Sequence, residues 1–277
     1  MKRLLITDLD NTLYDWVTFF SYSFAAMAKE LSVQLDVSIA QLHSEFRAVH
    51  QKYGDSEKPF SILEIPSVKL RYPNCTEKEL LDNLDVPLQA FNNTRKKYLK
   101  LYEGVKETLV ELSRRGVKIV GHTESHSINA YNRLKKLYIV EYFSHLYALD
   151  WAIGEHPLAE RSYRLPEDLI SVVPRSERKP NPELLYDICF KEGISIDAAV
   201  YVGDSLTRDM AMAVEAGVTS VWAKYGHSYD PDRWETLLSV THWTDEDLQR
   251  EKMLKEMYST VQPDYTIERF SDVLILF

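Results

Sequence analysis

Cysteine is scarce in this 277-residue chain, which has only two. Cys75 and Cys189 lie far apart in the sequence, so the chain has neither a CxxC redox pair nor a cysteine-based zinc site. Long apolar runs are also missing, since none approaches the roughly 18 residues that a membrane-spanning helix requires. Internal repeats and low-complexity tracts are absent too. With 45% hydrophobic and 27% charged residues, the sequence is that of an ordinary globular protein.

An excess of positive charge is lacking as well. The formal net charge is −9, which disfavours nucleic acid and anionic membranes as partners. At the N-terminus, Met1-Lys2-Arg3 is followed by only Leu4-Leu5-Ile6 before polar residues begin, which is too short for the apolar region of a signal peptide. We therefore expect a cytoplasmic, reduced protein with one large domain or two unequal domains.

Two aspartates follow the first apolar run of the chain with one residue between them. Because a strand alternates its faces, Asp8 and Asp10 point the same way and can converge on one ligand. Two carboxylates this close repel each other unless a cation lies between them or one of them is protonated. The pair therefore indicates a hard metal ion, acid–base catalysis, or both. The alternative is an Asp-rich turn in which Asn11 and Thr12 are turn or capping residues.

Other functional groups also follow apolar runs. Asp204 and Asp209 come after a run that ends at Gly203, Thr123 comes after another, and Lys179 precedes the start of a helix. In an open α/β sheet, ligands bind outside the carboxyl ends of the strands, so these groups are expected to line one crevice. The alternatives are that Thr123 caps the helix that follows it and that Lys179 is a solvated loop residue.

In this order, the four segments resemble the haloacid dehalogenase superfamily of aspartate-nucleophile phosphohydrolases. The matching residues are Asp8-Leu9-Asp10-Asn11-Thr12, Thr123, Lys179, and Gly203-Asp204-Ser205 with Asp209. Each motif is weak alone, but their order and their strand contexts make the set specific, and they cover roughly half of the chain. The dehalogenases that gave the family its name lack the second aspartate of the first motif. Asp10 therefore favours phosphoryl chemistry over carbon–halogen cleavage.

The resemblance implies a catalytic role for four residues. Asp8 would be the nucleophile that attacks phosphorus and forms an aspartyl phosphate. Asp10 would protonate the leaving oxygen and then deprotonate the attacking water. Thr123 would bind phosphoryl oxygens, and Lys179 would offset the negative charge of Asp8 and the phosphate.

The resemblance also implies a magnesium site. Asp8, the backbone carbonyl of Asp10, and Asp204 would hold Mg²⁺, and all of these ligands are hard oxygens, as this ion prefers. Asp209, together with Ser205, would orient the surroundings of the metal from outside the ligand set.

Strands and helices alternate through most of the chain, which predicts an α/β fold: a three-layer, Rossmann-like parallel sheet. The predicted strands are Arg3 to Thr7, Val117 to Gly121, His145 to Leu149, Ala199 to Val202 and Thr219 to Ala223. The predicted helices between them are Gly104 to Arg115, Pro182 to Glu192 and Arg208 to Ala216. Asn181 before the second of these helices and Gly193 after it are typical capping residues.

Residues 16 to 102 break this alternation, because they contain helical patterns and no convincing strand. The predicted helices are Val17 to Leu31, Ile39 to Tyr53, Thr76 to Leu84 and Pro87 to Leu101. By the resemblance, this segment is a small helical cap domain (16–102) inserted into a discontinuous hydrolase core (1–15 and 103–277), and it closes over the site and sets substrate choice. Two stretches, 152–176 and 226–264, exceed a minimal core and have no assigned role, although Glu246 to Met257 is predicted to be helical.

Several further residues are candidates for substrate binding. Tyr14 and Trp16 follow the nucleophile and could touch substrate, although aromatic residues at a domain junction are more often core. Lysines and arginines of the cap could recognise the leaving group, or they could be ordinary surface charges. The candidate set is Thr12, Tyr14, Trp16, Glu124, Lys58, Lys69 and Arg71.

The sequence thus predicts a magnesium-dependent phosphomonoesterase that acts on a small phosphorylated metabolite, with nucleotide and sugar phosphates as the leading candidates. The nearest alternative is a phosphomutase, which would use Asp8 and Asp10 in the same way. A non-catalytic binding protein on the same fold is a third possibility, and a dehalogenase is a fourth.

Overall fold

This computed structural model describes residues 1–58, 60–150, 165–228 and 230–277, which contain strands and helices. The strands are β1 (Leu4–Thr7), β2 (Lys118–His126), β3 (His145–Leu149), β4 (Ile170–Val173), β5 (Ala199–Gly203), β6 (Thr219–Ala223) and β7 (Tyr265–Ile267). The α-helices are α1 (Trp16–Leu35), α2 (Ile39–Tyr53), α3 (Pro66–Arg71), α4 (Glu77–Asn83), α5 (Asp85–Tyr98), α6 (Val105–Arg114), α7 (Ser127–Lys136), α8 (Pro182–Glu192), α9 (Ala211–Ala216), α10 (Pro231–Val240) and α11 (Asp245–Met257). In these ranges, no helix combines the length and apolarity that crossing a bilayer would take.

The seven strands form one parallel sheet in the order β4-β3-β2-β1-β5-β6-β7. The chain first fills the side of β1 on which β2, β3 and β4 lie. It then returns to fill the other side with β5, β6 and β7. The strand order therefore reverses between β1 and β5, and open α/β sheets bind their ligands at the carboxyl ends of strands where such a reversal occurs.

The central strand β1 is apolar and fully enclosed. Its four residues, Leu4-Leu5-Ile6-Thr7, are all buried, as expected for a parallel strand with helices on both faces of the sheet. All five predicted strands are present, and the predicted α/β class is confirmed. Helix α8 begins after Asn181, whose side chain accepts a hydrogen bond from the backbone N–H of Glu183, and it ends at Gly193 in the left-handed conformation.

The sheet differs from the sequence prediction at its edges and in β2. The edge strands β4 and β7 have four and three residues, which is too few for an alternation of apolar and polar residues to be evident in the sequence. β4 lies in the unassigned stretch 152–176, of which residues 152–164 are outside the described part of the chain. β2 continues past Gly121 to His126, and its register on β3 shifts between His122 and His126. Thr123 therefore lies within this irregular end of β2 and not after it.

A second compact unit is helical and gathers Trp16–Leu99 with Tyr229–Arg250. Within it, α1 packs mainly against α5 and α10. The rings of Tyr22 on α1 and Tyr98 on α5 stack with their centroids 4.2 Å apart. The guanidinium group of Arg233 also lies 3.8 Å from the centroid of the Tyr22 ring. These contacts explain why α1 is apolar around much of its surface.

The division of the chain into these two units differs from the predicted domain boundaries of 1–15 with 103–277 and 16–102, which stay a prediction. Residues 100–102 belong to the sheet unit, because Leu101 pairs with Tyr14 in an antiparallel bridge. Tyr229–Arg250 belongs to the helical unit, where the Ser21 hydroxyl donates to the carbonyl of Arg233. The two divisions differ because these contacts join residues that are remote in sequence.

His50 supplies a pH-dependent contribution to the stability of the helical unit. Its side chain is buried and its Nδ1 lies 2.6 Å from the carbonyl oxygen of Val240. Burial lowers the pKa of His50 below its ordinary value, so below about pH 6.5 the unfolded chain binds a proton that the folded chain does not. Stability is therefore lost as the pH falls. We expect His50→Asn, which keeps an N–H donor but cannot titrate, to weaken this loss by roughly 1 kcal/mol between pH 7.5 and 5.5.

Urea unfolding at the two pH values measures this difference. His227, which is exposed in the sheet unit, provides the matched control His227→Asn. The prediction would be contradicted if His50→Asn and the wild type lost the same free energy of unfolding between pH 7.5 and 5.5.

Candidate active site

The predicted catalytic residues meet where the strand order reverses. Asp8 follows β1, Asp204 follows β5, and Lys179 lies in the turn before α8. The backbone N–H of Asp8 donates to the carbonyl of Val202 on β5, which joins the ends of the two central strands. The expected crevice at the carboxyl ends of the strands is therefore formed by these elements.

Lys179 is the positive centre of this site. Its Nζ atom lies 2.6 Å from Asp8 Oδ1, 2.8 Å from Asp209 Oδ1 and 3.1 Å from the carbonyl oxygen of His122. The ammonium group thus donates to three acceptors and is almost completely buried. Lys179 is therefore part of the site and not a solvated loop residue, which was the alternative from sequence.

Burial and repulsion between carboxylates raise the pKa values of Asp8 and Asp204. Burial, and the negative charges of Asp209 and Asp10, raise the pKa of Asp8 to about 7 despite the opposing effect of Lys179. Burial and the carboxylates of Asp8 and Asp209 raise the pKa of Asp204 well above its usual range. For Lys179, burial alone would lower the pKa, but Asp209 and Asp8 raise it well above its ordinary value. The site thus holds more negative charge than one lysine offsets.

Three carboxylates can share one cation in this site. Asp8, Asp204 and Asp209 each offer an oxygen, and these atoms all lie within 4.8 Å of one another. The donors are hard oxygens, and burial together with the neighbouring carboxylates raises the pKa of Asp8 and of Asp204, so a cation would favour their charged forms. This donor set fits a divalent cation such as Mg²⁺ or Ca²⁺ better than a soft metal.

The carboxylate of Asp209 is held by three hydrogen-bond donors and lies against a glycine. Its Oδ1 atom accepts hydrogen bonds from Lys179 and from the hydroxyl of Tyr201, and its Oδ2 atom accepts one from the backbone N–H of Ser205. A Cβ atom on Gly203 would lie 2.4 Å from Asp209 Oδ2, so only glycine fits beside this carboxylate. These bonds support the predicted orienting role of Asp209. Tyr201 was not predicted, because a tyrosine in an apolar strand reads as core.

The predicted hydroxyl groups have local partners. The Thr12 hydroxyl donates to Asp8 Oδ2 at 3.0 Å, so Thr12 contacts the carboxylate of Asp8. The Thr123 hydroxyl accepts from the backbone N–H of Ser125 at 3.1 Å and is buried. The Ser205 hydroxyl accepts from the backbone N–H of Arg208 and caps the π-helical turn Leu206–Met210. Binding of phosphoryl oxygens by Thr123 stays a prediction.

Asp10 has partners that sequence reasoning did not identify. The Ser125 hydroxyl donates to Asp10 Oδ2 at 2.6 Å, and Arg133 Nη2 lies 3.2 Å from each of the two Asp10 oxygens. Arg133 is on α7 and its side chain is 4% exposed. One signal was available: Arg133 follows Ala130 by three residues and adjoins Leu134, so a charged residue occupies the apolar stripe of this helix.

Glu124 is the centre of a second ionic group beside the site. Its carboxylate accepts hydrogen bonds from the backbone N–H of Lys179 and from Arg208 Nη1, and it lies 3.5 Å from Arg178 Nε. Arg208 also binds Glu251. Glu124 thus fixes the loop that carries Lys179, and a contact with substrate stays a prediction.

The remaining candidates for substrate binding lie in the helical unit. Trp16 Nε1 donates to Glu57, Lys58 lies over the ring of Tyr53 at 4.2 Å, and Arg71 lies over the ring of Tyr72 at 5.8 Å. Lys69 is in the last turn of α3. Tyr14 belongs instead to the sheet unit and is completely buried. The assignment of these residues to substrate recognition stays a prediction.

Sequence comparison relates this site to a known family. A family model described as haloacid dehalogenase-like hydrolase matches residues 2–217, a range that contains every motif residue from Asp8 to Asp209. A related model, described as HAD-hydrolase-like, matches residues 176–272.

Individual relatives are similar over most of the chain. Identity is 26% over 239 residues with a glyceraldehyde 3-phosphate phosphatase of Methanopyrus kandleri, covering 83% of this chain and 87% of the relative. The identity is 22% over 231 residues with a phosphoglycolate phosphatase of Pseudomonas savastanoi pv. phaseolicola, covering 83% of this chain and 72% of the relative. The crystal structure of a 2-haloacid dehalogenase from Pseudomonas syringae pv. tomato matches this chain with a TM-score of 0.55 at 18% identity. The match covers 100% of this chain and 98% of the dehalogenase chain. This structural likeness shows a shared fold.

Proposed function

The chain belongs to the haloacid dehalogenase-like hydrolase family, and we propose that it hydrolyses small phosphate monoesters with Asp8 as the nucleophile. The observation that supports this most directly is the geometry of Asp8. Its two carboxylate oxygens are held by Lys179 at 2.6 Å and by Thr12 at 3.0 Å, at the end of the central strand. A carboxylate fixed in one orientation beside a buried ammonium group is suited to attack an anionic phosphoryl group.

In the first step, an oxygen of Asp8 forms a bond to phosphorus while the ester oxygen leaves. Asp10 donates its proton to that leaving oxygen, so the alcohol departs neutral and the protein holds an aspartyl phosphate. Lys179 offsets negative charge on Asp8 and on the transferred group. Its buried position makes this electrostatic effect larger than it would be in water.

In the second step, water attacks the phosphorus of the aspartyl phosphate. Asp10, now a carboxylate, accepts a proton from that water, the bond between phosphorus and Asp8 breaks, and inorganic phosphate is released. Asp10 thereby regains the proton that it needs for the next cycle. One residue therefore serves as acid and then as base, and its position relative to Asp8 matters in both steps.

The cofactor that fits this site is Mg²⁺. The carboxylates of Asp8 and Asp204 would hold it, with the backbone carbonyl of Asp10 as a further oxygen ligand and Asp209 as an orienting neighbour. When bound, the ion would neutralise phosphoryl charge and help to align the ester with Asp8. The excess of carboxylates over lysine supports this assignment.

Small phosphorylated metabolites are the substrates that we propose. The relatives described above are named for glyceraldehyde 3-phosphate and phosphoglycolate, which are a three-carbon aldehyde and a two-carbon acid. The similarity to the dehalogenase structure is a similarity of fold. Asp10, in contrast, supplies the acid that cleavage of a phosphate ester needs. Hydrolysis of phosphate esters is therefore better supported than cleavage of carbon–halogen bonds.

A panel of phosphate esters tests this proposal. With Mg²⁺ present, we expect the protein to release inorganic phosphate from at least one of phosphoglycolate, glyceraldehyde 3-phosphate, a hexose 6-phosphate and a nucleoside 5′-monophosphate. The expected kcat/KM for the best ester is of order 10⁴ M⁻¹ s⁻¹ or higher, the lower end of the enzyme range. Release no faster than that of Asp8→Asn for every ester would contradict the proposal. Phosphorus NMR of the products would reveal a phosphomutase, because the phosphoryl group would reappear on an isomeric ester.

A further inference from the structure

Arg133 is buried beside the proposed acid–base residue, and the mechanism described above gives it no task. Its Nη2 atom lies 3.2 Å from both Asp10 oxygens and donates to the Ser125 hydroxyl at 2.7 Å. Its Nε atom donates to the hydroxyl of Tyr14 at 2.9 Å. A buried arginine is costly to desolvate unless its hydrogen bonds are satisfied, and these partners satisfy it in one orientation.

The partners of Arg133 are themselves held by further contacts. Tyr14 is completely buried, and its backbone carbonyl accepts a hydrogen bond from the N–H of Asn11, which follows Asp10. The Ser125 hydroxyl donates to Asp10 and accepts from Arg133, so it links the two. Asp10, Ser125, Arg133 and Tyr14 are thus connected by hydrogen bonds and an ion pair, and we call these four residues the Asp10 clamp. All four residues belong to the sheet unit.

The clamp opposes a force that acts on Asp10. The carboxylates of Asp8 and Asp10 repel each other, and the Asp10 side chain is 21% exposed, so it could rotate toward water. Arg133 Nη2 donates to Asp10 Oδ2 and forms an ion pair with Oδ1, while Nε of the same planar group donates to Tyr14, so the guanidinium group is held in one orientation beside Asp10. We propose that Arg133, acting with Ser125, is a positioning residue that holds Asp10 in place for proton transfer in both chemical steps. This inference rests on the proposed function, because it assumes the acid–base role of Asp10.

If Asp10 protonates the leaving oxygen, the effect of losing Arg133 on hydrolysis should depend on the leaving group of the ester. An alkyl phosphate has a poor leaving group and needs the proton from Asp10, whereas 2,4-dinitrophenyl phosphate releases a stable anion that does not. General acid catalysis contributes about 10²–10⁴-fold, and a misplaced acid loses part of this. We expect Arg133→Met to lower kcat/KM for an alkyl phosphate about 30-fold or more, and kcat/KM for 2,4-dinitrophenyl phosphate less than threefold.

The activated ester gives a second readout. Asp10 is still required as the base in the second step, so aspartyl phosphate should accumulate in Arg133→Met with 2,4-dinitrophenyl phosphate. Stopped-flow measurement should show a burst close to one dinitrophenolate per protein molecule, followed by slow turnover with kcat and KM lowered together. A residue with a merely structural role would reduce activity toward both esters alike and would give no burst.

Matched variants separate these outcomes. Asp10→Asn should show the same pattern with larger losses, and Arg133→Met should cost no further activity in the Asp10→Asn background, because the two residues act as a unit. Lys135→Met removes an exposed charge from the same helix and should behave as the wild type. If Arg133→Met fails to fold, Ser125→Ala decides the question, because it removes one contact to Asp10 and keeps Arg133 paired.

Equal losses with both esters in Arg133→Met, or in Ser125→Ala if the former does not fold, would overturn the positioning role. Failure of the proposed function would look different, since the wild type itself would then hydrolyse neither ester. The two results are therefore distinguishable in one experiment.

Discussion

Replacing Asp8 by Asn should lower kcat for phosphate ester hydrolysis by about 10⁴-fold or more, because an amide cannot attack phosphorus or carry the phosphoryl group. Asn has nearly the same volume as Asp and its carbonyl oxygen can still accept from Lys179, so the variant should remain folded by circular dichroism. Asp10→Asn should lose less activity, about 10²–10⁴-fold, because the attacking group remains. Phosphate release under saturating ester and Mg²⁺ measures both losses.

Beryllium fluoride distinguishes the two aspartates without relying on turnover. It binds carboxylates as a tetrahedral mimic of an aspartyl phosphate, so it should bind the wild type and Asp10→Asn but not Asp8→Asn. Calorimetric titration in the presence of Mg²⁺ measures this binding. Equal affinity of all three proteins would show that Asp8 is not the nucleophile.

Removal of divalent metal should reduce hydrolysis by about 10³-fold or more, since the mutually repelling carboxylates of Asp8, Asp204 and Asp209 would otherwise face an anionic ester. Phosphate release should fall after dialysis against chelator and return when Mg²⁺ is added. Undiminished hydrolysis after exhaustive chelation would contradict the metal assignment.

The same ion should stabilise the fold. A ligand at 100 times its Kd stabilises the native state by about 2.7 kcal/mol, so Mg²⁺ should raise Tm by several degrees in the wild type. Asp204→Asn removes one ligand and should lose most of this shift. Asp197→Asn removes an exposed acid elsewhere on the sheet unit and should keep it. An unchanged shift in Asp204→Asn would place the ion at another site.

The central part of the site was predictable because its signals are local. Asp8 and Asp10 are separated by one residue at the end of an apolar strand, and Gly203 with Asp204 ends another, so side-chain alternation and sheet topology suffice to bring them together. The family resemblance built on these motifs is confirmed by the model that matches residues 2–217. The assignment of individual residues to the metal or the substrate remains a prediction.

Other features depend on contacts between residues that are distant in sequence. Nothing in the neighbourhood of Arg133 shows that its partners are Asp10 and Tyr14, because a charged residue in the stripe of a helix can also lie at the margin of a core. α10 joins the helical unit through His50 and Ser21, which precede it by most of the chain. Strand β7 is fixed at the sheet edge partly by Asp264, which accepts hydrogen bonds from Ser220.

The central place of β1 has a consequence for biosynthesis. β1 is synthesised before its partners, which begin at Lys118 and Ala199, so its two edges stay unpaired until β2 and then β5 have been made. At typical rates of 5–20 residues per second, the wait for β5 lasts about 10–40 s. During that time Leu4, Leu5 and Ile6 are apolar and uncovered, which makes them a target for chaperones. A nascent chain that terminates before Ala199 would leave one edge of this strand permanently open to aggregation.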